Sequence, residues 1–162
     1  MALRLSADPQ AATFTGMIRV TIASPQEIVE LDRGKLRDIV RAVLQGEDIA
    51  DAEISLAFVD NDTIHRLNKR YLDHDEPTDV LTFPLGPSGG GKKLSGEIVI
   101  GAEVAAAEAS QRGHDVHTEL ALYVIHGVLH LCGYVDAKEK DRHVMRSKER
   151  HYLKSLALPD IA

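Results

Sequence analysis

The stretch 118-TELALYVIHGVLHLCGYVD-136 decides how the chain is to be read: it sets two histidines four residues apart in an apolar run, followed by a glycine and an acid. Three- and four-residue steps return to one helix face, so Glu119, Leu122, His126 and His130 form a stripe. Two imidazoles one turn apart can bind one divalent cation through nitrogen lone pairs, and a third ligand then has to come from outside the helix. Gly133 can adopt the left-handed conformation that turns a chain back at a helix end, which makes Asp136 the expected third ligand. The same spacing also fits two core histidines, or two that face a polar cavity without a metal. Cys132 lies two residues beyond His130 and points off the stripe, which makes it a poor ligand. Glu119 stands two turns before His126; it either orients that ring from behind or is an exposed first-turn acid that favours the helix dipole.

The residue after the first histidine separates two chemistries. A peptidase-type zinc helix carries a glutamate there as the base that activates water, whereas this chain has Gly127. Peptide hydrolysis therefore lacks its base, while metal-assisted attack of water on a phosphodiester needs less help. Of the remaining acids, Asp79 in PTDVLTFP and Glu97 at a strand start are the two that fit beside the helix. Each is also an ordinary turn or strand-edge residue, and the general base stays unassigned.

Working outward, MIRVTI (17–22) reads as a strand, and Ser24-Pro25-Gln26-Glu27 has the capping-box pattern of a helix start with proline at the first helical position. Ile28, Leu31, Leu36, Ile39, Val40 and Val43 continue that helix to about Gln45. ISLAFVD (54–60) is a second strand. A helix starting at Asp60, Asn61 or Asp62 follows, with Ile64, Leu67 and Tyr71 on one face and Pro77 beyond its end. VLTFPL (80–85) and EIVIG (97–101) read as strands joined by GPSGGGKKLSG, a hairpin tip rather than a phosphate cradle, because no strand–glycine–helix arrangement with a Lys-Ser/Thr ending follows it. An alanine-rich helix (102–113) ends at Gly113, Asp115 caps the helix 116–131, and a basic helix covers about 137–156. The order β-α-β-α-β-β-α-α-α predicts an α+β fold.

A chain of 162 residues with 44% apolar content suits one domain, here 17–162, with residues 1–16 as a flexible tail. One cysteine rules out an internal disulfide framework, and no apolar run is long enough to span a bilayer. Residues 1–16 have neither the apolar core of a secretory signal nor the arginine-rich character of an organelle signal, so a cytoplasmic protein is expected. The net charge of −6 argues against non-specific coating of nucleic acid, which needs many phosphate contacts. Residues 137–156 nevertheless hold seven Lys/Arg against three Asp/Glu, either as a solvated helix face or as a local basic patch.

Taken together, these residues resemble the YbeY family of bacterial metal-dependent endoribonucleases, also described as ribosomal RNA maturation factors. The family hallmark His-Gly-x-Leu-His-Leu-x-Gly-Tyr-Asp-His is met in register by 126-HGVLHLCGYVD-136. A second stretch, 67-LNKRYLDHDEPTDVLTFP-84, is similar to the family's Leu-Asn-x-x-Tyr-Arg-x-x-Asp-x-Pro-Thr-Asp-Val-Leu-Ser-Phe-Pro, and GEIVI (96–100) and MRSKERHYL (145–153) follow in the expected order. The resemblance implies a small mixed four-stranded sheet packed with about five helices, metalloprotease (zincin)-like. It also implies one zinc held by the hallmark histidines, and cleavage of single-stranded RNA in ribosomal RNA maturation and ribosome quality control. Ribosomal RNA precursor and the small subunit or its assembly factors are the implied partners.

Carried over by position, His126 and His130 match two ligands, the third hallmark histidine falls on Asp136, and the acid before it falls on Val135. An aspartate oxygen is a legitimate zinc ligand, and it makes the site harder and more anionic, which favours manganese or magnesium more than three histidines would. Leu72 occupies the position of a motif arginine, and leucine cannot replace a bidentate phosphate contact. Arg70, Lys69 and Arg66 on the same helix are the candidates to supply substrate contacts instead. A ribosome-associated binding module that keeps the fold without the chemistry is the competing expectation.

Overall fold

The computed structural model describes residues 16–72, 79–86 and 93–162. Strand β1 (Ile18–Ala23) is followed by α1 (Arg33–Gly46), β2 (Ala52–Val59), α2 (Asn61–Leu72), β3 (Val80–Pro84) and β4 (Leu94–Gly101). Three helices complete the chain: α3 (Ala102–Arg112), α4 (Val116–Leu131) and α5 (Glu139–Ser155). The sheet order is β1-β2-β4-β3, with β1, β2 and β4 parallel and β3 antiparallel to β4. The expected element order and α+β class are therefore found among the described residues. The proposed tail (1–15 of its residues), the Pro77 turn and positions 87–92 of the glycine-rich tip lie outside them.

Alternation along the strands divides the molecule into two layers. Ile54, Leu56, Phe58, Ile98 and Ile100 face one side and join Val40, Val43 and Leu44 of α1 with Val124, Ile125, Val128 and Leu129 of α4 in the main core. Their odd-numbered neighbours Val59, Leu81 and Val99 face the other side, where they pack with Ile64 and Leu67 of α2. Helix α2, which opens the second predicted motif region, thus packs on the face of the sheet opposite α4.

Helix α1 begins later than its capping-box pattern suggests. Gln26 satisfies the local backbone with its side chain: Oε1 accepts from the N–H groups of Ile28 and Val29 at 2.8 and 2.9 Å, and Nε2 donates to Ser24 Oγ and Val29 O. The helix starts at Arg33 instead, where Asp32 Oδ1 caps Lys35 N–H at 3.1 Å.

Helix α4 lies unusually close to the sheet. A Cβ placed on Gly127 would stand 2.7 Å from Ile98 Cγ2 and 3.3 Å from Val80 Cγ1. This position faces the sheet and has no room for any side chain, so the glutamate of a peptidase helix is excluded by packing as well as by sequence.

Candidate metal centre

Asp115 caps α4 by accepting from His117 N–H at 3.1 Å, after Gly113, at φ 72°, has closed α3. From Thr118 to Leu131 every residue is buried except His126 and His130. A helix apolar nearly all round belongs in a core. The two histidines mark the place where this one reaches an opening.

At its end, Gly133 (φ 109°) donates to His130 O and Tyr134 donates to Leu129 O, both at 3.0 Å, turning the chain back over the helix. The turn serves both rings. Tyr134 O accepts from His130 Nδ1 at 2.9 Å, and Asp136 arrives opposite the Nε2 atoms. His126 Nδ1 donates to Glu149 Oε2 of α5 at 2.5 Å.

These hydrogen bonds fix the chemistry of the other ring edges. A carbonyl only accepts, so His130 Nδ1 carries a proton, and an ionised Glu149 requires the same of His126 Nδ1. Each neutral ring then presents an unprotonated Nε2 lone pair. Those two nitrogens lie 3.0 Å apart, and Asp136 Oδ2 is 3.3 Å from one and 3.4 Å from the other. Three electron-rich atoms at such distances repel unless a proton or a cation lies between them. Zinc bonds of about 2.0–2.1 Å in tetrahedral geometry give ligand–ligand edges of about 3.3 Å, close to all three spacings. The donor set therefore fits a divalent ion, and among the described residues this trio is the group of three able to hold one.

The surroundings add negative charge. Burial opposes protonation of His126, but the hydrogen bond and charge of Glu149, and then the charges of Asp136 and Asp79, outweigh it and raise its pKa above the ordinary histidine value. Asp79, His126, Asp136, Arg142, Arg146 and Glu149 line a hollow of about 140 Å³ beside the trio. Arg142 Nη1 donates to Ala137 O at 2.8 Å and Asp136 O at 3.4 Å, which ties the segment carrying Asp136 to α5.

Of the other expected residues, Asp79 lines this hollow, whereas Glu97 pairs in register with Phe83 and is exposed on the α2 side of the sheet. Lys69 and Arg70 are exposed on α2, which packs on that far side; Arg70 lies over the Tyr71 ring, 5.3 Å from its centroid. None of Arg66, Lys69 and Arg70 lines the hollow. Cys132 stands outside the trio, and burial followed by the charge of Glu47 pushes its thiol up to about 11, which keeps it protonated at neutral pH.

Glu119 is neither exposed nor the support of His126. It is 1% exposed and meets His114 Nε2, with Arg112 Nη1 at 3.8 Å. Seven residues advance a helix by about 10.5 Å, too far for a glutamate to cover, so Glu119 reaches back across the helix start instead. The support comes from Glu149, which sequence reasoning missed. The available signal was its position: it shares the buried stripe of α5 with Met145, Tyr152 and Leu153, where an acid is out of place unless it has a partner.

Comparison with known proteins finds relatives over most of the chain. The family model described as "Endoribonuclease YbeY" matches residues 21–157. A protein of that name from Salinibacter ruber is 40% identical over 133 residues, covering 78% of this chain and 85% of its own. Another, from Carboxydothermus hydrogenoformans, is 39% identical over 139 residues, covering 85% and 96%. The solution structure of TM1509 from Thermotoga maritima superposes with a TM-score of 0.58 at 28% identity, covering 86% of this chain and 89% of that one.

Proposed function

Because the chain belongs to the YbeY family of endoribonucleases, we propose that it cleaves single-stranded RNA in ribosomal RNA maturation and ribosome quality control, using one divalent ion held by His126, His130 and Asp136. Zinc is the ion that the two nitrogens and the edge lengths favour, and the aspartate oxygen opens the site to manganese as well. The observation that carries this reading is the convergence of Nε2, Nε2 and Oδ2 at 3.0–3.4 Å while both Nδ1 atoms are committed elsewhere. No helix among the described residues is long and apolar enough to cross a membrane, which accords with work on ribosomal RNA in the cytoplasm.

The chain's own residues have separate tasks. Glu149 and Tyr134 O hold the rings in the tautomer that leaves Nε2 free, and Glu149 also makes His126 a stronger donor. Arg142 holds the backbone that presents Asp136. A bound divalent ion supplies Lewis acidity, drawing charge from a phosphodiester oxygen and making water a better nucleophile at neutral pH. Of the two further acids named from the sequence, Asp79 lines the same hollow and would be the one to accept a proton there, whereas Glu97 lies on the far face of the sheet.

The test is substitution with metal analysis. His126→Ala, His130→Ala and Asp136→Ala should each reduce both bound metal and cleavage of single-stranded RNA. Full metal and activity in Asp136→Ala would remove the third ligand from this account. A wild-type protein that binds ribosomal particles but never cleaves RNA, with any divalent ion, would instead be a binding module of this fold.

A further inference from the structure

The hollow beside the trio does not stop at α5. It shares Asp79, Leu122, Tyr123 and Arg146 with a second, more open hollow of about 420 Å³ that is also lined by Arg112 and Glu108 of α3 and by Glu119 of α4. Arg146 stands at the junction. It lies one helical turn after Arg142 and one before Arg150, so the three guanidiniums follow one edge of α5.

Their commitments differ. Arg142 donates to the carbonyls of Asp136 and Ala137. Arg150 lies 3.5 Å from Asp160 and donates to Ala162 O, and Arg112 donates to Ile161 O at 2.6 Å. Arg146 has no hydrogen-bond or carboxylate partner among the described residues, although it is exposed and faces both hollows. Charge gives this a consequence. Asp79, Asp136 and Glu149 alone would make the first hollow repel a phosphodiester; a divalent ion together with Arg142 and Arg146 reverses the local sign. A free guanidinium fork also matches two oxygens of a phosphate, which a point charge cannot do.

We propose that Arg146 binds a backbone phosphate of single-stranded RNA adjacent to the one held at the metal centre, and so directs the strand from the first hollow into the second. This rests on the endoribonuclease reading of the same centre. Arg146 is here a substrate-binding residue and plays no part in holding the metal.

The experiment compares wild type, Arg146→Ala, Arg146→Lys and Arg150→Ala by steady-state cleavage of a labelled single-stranded oligoribonucleotide. Metal content is measured on each, and the affinity of the same metal-loaded proteins for a cleavage-resistant phosphorothioate oligoribonucleotide is measured by anisotropy over a range of salt. Arg146→Ala should raise KM and Kd about tenfold while kcat stays within about threefold, the scale of one exposed charge-assisted contact. The slope of log affinity against log salt should flatten by about 0.7, one phosphate contact on a single strand. Arg146→Lys should recover part of the affinity, Arg150→Ala should match wild type, and all four should hold the same metal. Wild-type KM and salt slope in Arg146→Ala overturn the inference while leaving the metal-centre reading intact. Failure of the wild type itself to cleave overturns that reading, and this inference with it.

Discussion

Two buried glutamates each hold a histidine in this protein, and only one of the pairs has the makings of a functional site. Glu119, 1% exposed, grips His114 near the start of α4; Glu149, 3% exposed, grips His126 near its end. Both acids are buried. The difference lies on the other side of the ring. His114 bonds to Glu119 through Nε2, and Arg112 shares that carboxylate, but among the described residues no set of three metal donors gathers there. His126 uses Nδ1 for Glu149 and points Nε2 at His130 and Asp136 beside an open hollow. A buried acid–imidazole contact is a structural element by default. It becomes the support of a metal site when the second ring nitrogen meets further donors where solvent and substrate can enter.

Removal of each histidine should separate the two pairs most strongly. His126→Ala should lose bound metal and reduce RNA cleavage at least about 100-fold, whereas His114→Ala should keep both within about threefold, as read by metal analysis and initial rates. Next come the acids. Glu149→Gln should weaken metal binding about 10- to 100-fold in a competition titration against a chelator. Glu119→Gln should leave metal affinity unchanged and lower folding stability by about 1–3 kcal/mol in urea unfolding, because His114 and Arg112 lose a charged, buried acceptor. Equal metal losses from both would mean that the support of the site has been misplaced.

A third carboxylate acts one residue further back. Glu47 Oε1 accepts from Tyr134 OH at 2.7 Å, while Tyr152 OH donates to Oε2 and Lys148 lies 3.2 Å away, so α1 clamps the turn whose carbonyl fixes His130. Burial works against the charge of Glu47, but those donors outweigh it and hold its pKa below the ordinary value of 4.5. A lowered folded pKa means that the clamp is at full strength above that ordinary value and is lost as pH falls through the lowered one. Glu47→Gln should therefore cost about 1–2 kcal/mol near neutral pH, and its deficit against wild type should close on acidification. A deficit that widened in acid would reverse the assigned sign.

The smallest effect is expected from His126 in metal-free protein. Its raised pKa means that the fold favours the imidazolium: the resulting stabilisation is full below the ordinary histidine value of 6.5 and disappears as pH rises through the folded value. The melting temperature of metal-free wild type relative to His126→Asn should fall across that window. Added metal, which needs the neutral ring, should stabilise the protein more at the alkaline end. An unchanged difference across the window would show that His126 does not carry the charge assigned to it.

Much of this was legible in the sequence because periodicity reports which face a residue occupies. The stripe through His126 and His130, the Asp115 cap and the turns at Gly113 and Gly133 follow from local chemistry, and the structure has each of them. Contacts between elements were not legible in that way. Gln26 could be read as part of a capping box, but its side chain closes a loop of its own, and Asp32 starts the helix. Glu119 was correctly placed on the stripe and wrongly paired, since face alone does not say how far along a helix a carboxylate reaches. Glu149 and Arg142 act on α4 and its turn from α5, and the distance in sequence, 23 residues for Glu149 and His126, conceals that pairing. Lys69 and Arg70 show the reverse case. Their motif lies close to β3 in sequence, yet the sheet stands between their helix and the histidines.

The central claim is that three donors, the third of them Asp136, make one divalent site that RNA cleavage depends on. Chelator-competition titration of wild type and Asp136→Ala with zinc and manganese, with single-stranded RNA cleavage measured on the same samples, tests it most directly. Wild type should bind one equivalent of metal, and in Asp136→Ala affinity and cleavage should fall together by at least about tenfold. Unchanged metal affinity together with unchanged cleavage in Asp136→Ala would contradict it.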